Sequence, residues 1–140
     1  MSTKPSGYGL MQIGGQERPF HVGTHQSDIF CRLHNMSIKA YSEMFSPQNL
    51  QAQNLTAGDI ADFVYSSLVA GAEWDGLRVE LTPLHVRAWV DDAQTEETTK
   101  PIAEMLKQVV ARAERDAERA GNAQAPPAAK RGSKAAKKKD

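Results

Sequence analysis

Apolar positions change their spacing along the chain, and the spacing divides it into elements. Leu10-Met11-Gln12-Ile13 and Arg18-Pro19-Phe20-His21-Val22 predict two short strands around Gly14-Gly15, because paired glycines permit the positive φ of a tight hairpin turn. Pro19 lacks a ladder donor, which places the second strand at an edge or leaves its start unpaired. An isolated hairpin is marginal in water, so Ile13, Phe20 and Val22 are expected to lie against helices or another subunit.

Helical spacing takes over at Thr24, the predicted cap of a helix with Ile29, Leu33 and Met36 on one face. Ser37 then caps a second helix, Ile38 to Phe45, with Tyr41, Met44 and Phe45 inward and Pro47 as its stop. Residues 46–55, rich in Gln and Asn, read as a surface loop. Thr56 opens the predicted central helix, with Asp59 completing a capping box, an Ile60, Phe63, Val64, Leu68 stripe, and Gly71 as its end. Trp74-Asp75-Gly76-Leu77 reads as a linker, and Arg78 to Leu81 as a short strand or extended pass. Thr82-Pro83 starts another helix from which Leu84, Val86, Trp89 and Val90 turn inward. Pro101 begins the last predicted helix, whose stripe of Ile102, Met105, Leu106, Val109 and Val110 fades past Ala113 into residues charged all round.

The expected fold is therefore mainly α: a small N-terminal β-hairpin packed on a bundle of about five short helices, with a disordered basic C-terminal tail. Residues 1–9 read as a flexible N-terminus, 10–121 as the folded domain and 122–140 as the tail.

Charge sharpens that division. The chain of 140 residues has no net charge, but residues 1–121 hold 11 Lys and Arg against 16 Asp and Glu, leaving −5, whereas residues 122–140 hold 6 against 1, leaving +5. An acidic body argues against broad nucleic-acid binding, which is built from clustered Lys and Arg. The tail reads as a solubilising terminus or as a weak, salt-sensitive contact for acidic surface or nucleic acid. It has no interleaved aromatic residue for base stacking. A single cysteine, Cys31, excludes an internal disulfide and reads as a small buried hydrophobe. The N-terminus has no apolar leader core and no run approaches the roughly 18 apolar residues of a membrane span, so neither export by that route nor membrane insertion is expected.

No arrangement of residues announces catalysis. His21, His25, His34 and His85 lack ligand spacing with each other or with Cys31, so no metal is expected. Gly14-Gly15 has neither the third glycine nor the Gly-Lys-Ser of a phosphate loop. Asp91-Asp92 and Glu96-Glu97 read as solvated charge, and no cofactor is implied. Two features remain as candidate partner-binding positions. One is the stripe Ile102, Met105, Leu106, Val109 and Val110, which either packs on the protein's own core or forms a ridge for a partner helix. The other is Trp74, an aromatic anchor in a linker.

Taken in order, the Gly14-Gly15-Gln16-Glu17-Arg18-Pro19-Phe20 hairpin, the helix from Thr56 to Gly71 and the short helix from Thr82-Pro83 to Trp89-Val90-Asp91 resemble the tail assembly chaperones of long-tailed bacteriophages. The likeness covers about the middle three-fifths of the chain and lies in the order of elements. The polar helix from Thr24 to Met36 and the Lys-rich tail depart from the family pattern. The resemblance implies a non-enzymatic, self-associating chaperone that keeps the tape measure protein soluble and helps recruit tail tube subunits. It implies action in the host cytoplasm and absence from the mature virion. It also implies a longer frameshifted product, with Lys137-Lys138-Lys139 encoded by an adenine-rich slippery run, which a mixed-codon gene sequence would refute. The alternative is a phage-derived nucleic-acid-binding or regulatory protein acting through its basic tail; truncation at Gly121 separates the two, since only the second would lose its binding.

Overall fold

The computed structural model describes residues 4–92 and 95–124. Among them the order is β1 (Tyr8–Ile13), β2 (Gln16–His21), α1 (Thr24–His34), α2 (Ile38–Met44), α3 (Pro47–Gln51), α4 (Ala57–Trp74), α5 (Pro83–Asp91) and α6 (Glu96–Gln124). The mainly helical class with an N-terminal hairpin is borne out, although α6, at 29 residues, is long.

β1 and β2 pair antiparallel, Tyr8 opposite His21 through Ile13 opposite Gln16. Gly14 and Gly15 have φ of +66° and +83°, as a two-residue turn of this twist demands. Gly14 is required twice over, because a Cβ there would stand 2.7 Å from the Trp89 ring. The Arg18 guanidinium lies 4.5 Å over the same ring, so the turn is seated on α5. The inner face of the hairpin buries Met11, Ile13 and Phe20 on a core shared with Phe30, Phe45, Phe63, Leu68 and Val86.

α4 crosses that core. Its N-terminus carries the expected capping box, with the Thr56 side chain accepting from the Asp59 N–H and Asp59 from the Thr56 N–H, each at 3.0 Å. Gly71 does not end the helix. A Cβ at Gly71 would lie 2.5 Å from Phe20 Cα and the Pro19 carbonyl, so this glycine lets α4 cross β2 at backbone contact. The helix stops one turn later at Gly76, φ +71°, where the Gly76 N–H donates to Glu73 O at 3.1 Å and the Leu77 N–H to Ala72 O at 2.8 Å. These are the paired bonds of a left-handed helix stop.

Four further expectations are corrected. α1 is rotated: Gln26 and Phe30 are buried while Leu33 is 42% exposed, and Thr24 is its first residue, preceded by Gly23 with no side-chain cap. The inward face buries Phe30 against Tyr41 and Phe45, and the Gln26 amide buried with it is satisfied by donating to Tyr41 Oη and to Ser66 Oγ, each at 3.0 Å. Residues 46–55 contain a helical turn, α3, capped by Ser46 with Pro47 as its first residue. Leu84 points outward, 76% exposed, and only Val86 of α5 is fully buried. α6 begins before Pro101, with Glu96 and Glu97 in its first turn, where negative charge is favourable. It also continues past Gly121. Of the segment 122–140 read as a tail, residues 125–140 lie outside the described residues, as does the start of the N-terminal segment.

Candidate interaction surface

The predicted partner-binding stripe on α6 faces the protein's own core. Met105 and Val109 are 0% and 1% exposed, and Ile102, Leu106 and Val110 pack half-buried beside them. Thr98 at the start of the same helix donates its hydroxyl to Gln12 O at 2.7 Å, fixing α6 along β1.

Trp74 is placed differently. It closes the last turn of α4, beyond the Gly71 crossing, and is 53% exposed. Its ring stacks with His21, centroids 6.1 Å apart, and so continues the outer face of the hairpin. Strand alternation puts Tyr8, Leu10, Pro19 and His21 on that face, opposite Met11, Ile13 and Phe20. Leu10 is 51% exposed and Leu77, three residues past Trp74, 53%. The Tyr8 hydroxyl donates to Asp75 Oδ2 at 2.6 Å, and Lys4 Nζ reaches Asp75 Oδ1 at 3.0 Å while lying 4.7 Å over the Tyr8 ring. The hydrogen bonds from Tyr8 and Lys4 hold the Asp75 carboxyl below its ordinary value, and Asp75 raises the Tyr8 phenol. This cluster ties the N-terminal segment to the end of α4 and sets one border of an apolar, aromatic surface.

Leu10 and His21 were missing from the sequence-derived site. The signal was present in the period of two: both are out of phase with Ile13 and Phe20. Each strand edge is closed in part, since the Tyr8 N–H donates to Pro5 O at 3.2 Å, Thr98 caps Gln12 O, and Pro19 has no N–H to offer.

Several titratable groups are engaged in structure. Asp62, 3% exposed on α4, accepts from Arg87 Nε at 3.1 Å, Arg87 Nη2 at 2.8 Å and His34 Nε2 at 2.9 Å, joining α1, α4 and α5 through one carboxylate. His25 donates to Glu73 at 2.6 Å and His21 to Ser6 O at 3.1 Å. Burial, then Asp28, pushes the Cys31 thiol up, the opposite of thiolate activation. Among the described residues no group of three or more His, Cys, Asp and Glu could hold a metal ion, and no helix is long and apolar enough to cross a membrane.

A second concave region separates α2 and α3 from the outer half of α6. It is an open groove of about 1020 Å³ with Ile38, Pro47, Ala111 and Ala113 among its lining residues and Glu43 and Glu114 beside them. Comparison with protein-family models, with curated proteins and with solved structures found no match.

Proposed function

We propose that this protein is a tail assembly chaperone of the long-tailed phage type, which holds the tape measure protein in solution and helps recruit tail tube subunits without making or breaking bonds. The observation that carries the reading is the exposure of Trp74 and Leu77 at the end of α4 and of Leu10 on the hairpin, each more than half exposed. Exposed apolar surface of this kind marks a contact for another macromolecule, and aromatic residues dominate such contacts. The family resemblance rests on the order of elements, hairpin then capped central helix then Thr82-Pro83 helix. An acidic body supports solubility when many copies coat a long client, each through a weak contact whose effect multiplies along the client.

Host-cell co-expression of the full chain with the tape measure protein tests the reading. The client should stay in the soluble fraction with the chaperone and precipitate without it, and Trp74→Ala should shift it back toward the pellet. A purified chain that leaves both tape measure and tube proteins unaffected while binding DNA or RNA tightly would replace this reading with the nucleic-acid one.

A further inference from the structure

β1 forms one edge of the sheet, and its register with β2 fixes which backbone groups lie there. The Val22 N–H donates to Gly7 O at 3.0 Å, so Gly7 and Val22 form a hydrogen-bonded pair, and in an antiparallel ladder such pairs alternate with unbonded ones. With Tyr8 opposite His21 and Leu10 opposite Pro19, the groups of Gly9, Met11 and Ile13 point to β2, and those of Tyr8, Leu10 and Gln12 point away. Some of the outward groups are taken: Pro5 O accepts from the Tyr8 N–H at 3.2 Å, and Gln12 O accepts from the Thr98 hydroxyl at 2.7 Å. Between them stand Tyr8 O, the Leu10 N–H, Leu10 O and the Gln12 N–H, without a partner among the described residues. Leu10 is 51% exposed, which leaves this window of the edge open to water. Backbone groups that the fold does not pair are satisfied from outside it.

We propose that the window takes an extended, proline-free stretch of the client chain, added beside β1 as a parallel strand of about three residues. The inference rests on the chaperone reading above and names the part of the client that is held. In a parallel ladder one residue bonds to the two that flank it on the neighbouring strand. The first residue of the stretch therefore donates to Tyr8 O and accepts from the Leu10 N–H, and the third donates to Leu10 O and accepts from the Gln12 N–H. Every group in the window is then paired. An antiparallel stretch making the same bonds needs residues directly across from Tyr8 and Gln12, where Pro5 and Thr98 already stand. The middle residue falls beside Leu10 on the outer face of the hairpin, where an apolar side chain gains cover. Main-chain bonds supply the affinity in strand addition, and they are blind to sequence. That suits a long client held at many places before it folds, each contact weak and many copies acting together.

Residue 10 can lose its N–H without loss to the hairpin ladder, because that N–H points away from β2, as the missing N–H of Pro19 does across from it. Leu10→Pro should therefore fold, with β2 amide signals near the parental positions, yet leave about fivefold less tape measure protein soluble in co-expression. Leu10→Val keeps the N–H and should hold client like the parent. In the purified complex of the unaltered chain, the Leu10 and Gln12 amides should exchange with deuterium roughly tenfold more slowly than in the free chain, while Gly9 and Met11, already in the ladder, change little. If Leu10→Pro does not fold, the exchange pattern decides. Parental holding by a folded Leu10→Pro, or Leu10 and Gln12 amides left unprotected in the complex, would overturn the proposal and leave the chaperone reading standing; a parental chain that holds no client removes both. Protection that appears in the chain alone and rises with its concentration would assign the edge to a second copy and overturn the proposal as well.

Discussion

At Gly71 and Gly76 the same residue type serves two physical ends, and substitution separates them. A methyl group at Gly71 meets the backbone of β2 at 2.5 Å, and backbone cannot turn aside as a side chain can. Gly71→Ala should therefore destabilise by about 1–3 kcal/mol through overpacking, read as a lower urea midpoint, with larger side chains worse. Gly76 has nothing within 4 Å of its missing Cβ, so Gly76→Ala should cost only the left-handed backbone penalty, about 1–2 kcal/mol. Equal midpoints in Gly71→Ala and the parent would remove the close-approach account. Asp75 makes a pH prediction of the same grain. A carboxyl whose pKa is lowered by folding stabilises fully above its unfolded value and loses that contribution as pH falls through the folded one. The tie from Asp75 to Tyr8 and Lys4 should thus be complete above the ordinary carboxyl value of 3.8 and release below it. The Asp75 carboxyl shift and the Tyr8 ring shifts, followed together by NMR, should titrate in step; a Tyr8 ring indifferent to that titration would contradict the arrangement.

Elements whose signals are local were legible in the sequence. The Gly14-Gly15 turn, the Ser37 cap, the Thr56 capping box and the Thr82-Pro83 start each depend on residues within four positions of one another, and each stands where expected. What the sequence hid was set by partners far along the chain. The inward face of α1 carries Phe30 and a Gln26 amide satisfied by Tyr41 and Ser66, partners that a count of apolar residues does not reveal. Gly71 looked like a helix stop because nothing local distinguishes a stop from a crossing. Trp74 was legible as an exposed residue, yet its stacking on His21 of the hairpin was not, because that approach depends on where α4 crosses β2. Asp62 shows the energetic side of such long-range ties. Asp62→Ala would leave His34 and Arg87 without their shared acceptor and uncouple three helices at once. The loss should be about 3 kcal/mol, the low end for a broken buried pair, because Arg87 is half exposed and can turn to water. Thermal unfolding of the variant tests this, and a loss under about 0.5 kcal/mol would make the cluster incidental.

For the whole molecule the decisive question is whether stability and client holding reside in different surfaces. Met105 is sealed in the core, and Met105→Ala should cost about 2–5 kcal/mol by leaving a cavity. Trp74 is half exposed with one stacked neighbour, so Trp74→Ala should cost less than about 1 kcal/mol. If the surface around Trp74 holds the client, the two variants must dissociate the two properties in opposite senses. Trp74→Ala should keep a near-parental melting temperature yet lose most of the soluble tape measure protein in co-expression. Met105→Ala should melt well below the parent but, assayed below its own melting temperature and at matched soluble concentration, retain client holding. The reverse pattern, holding lost with Met105 and kept with Trp74, would move the contact to the α6 stripe. Loss in both variants at matched folded concentration would mean that the contact spans the hairpin face and α6 together, with Thr98 joining them through Gln12.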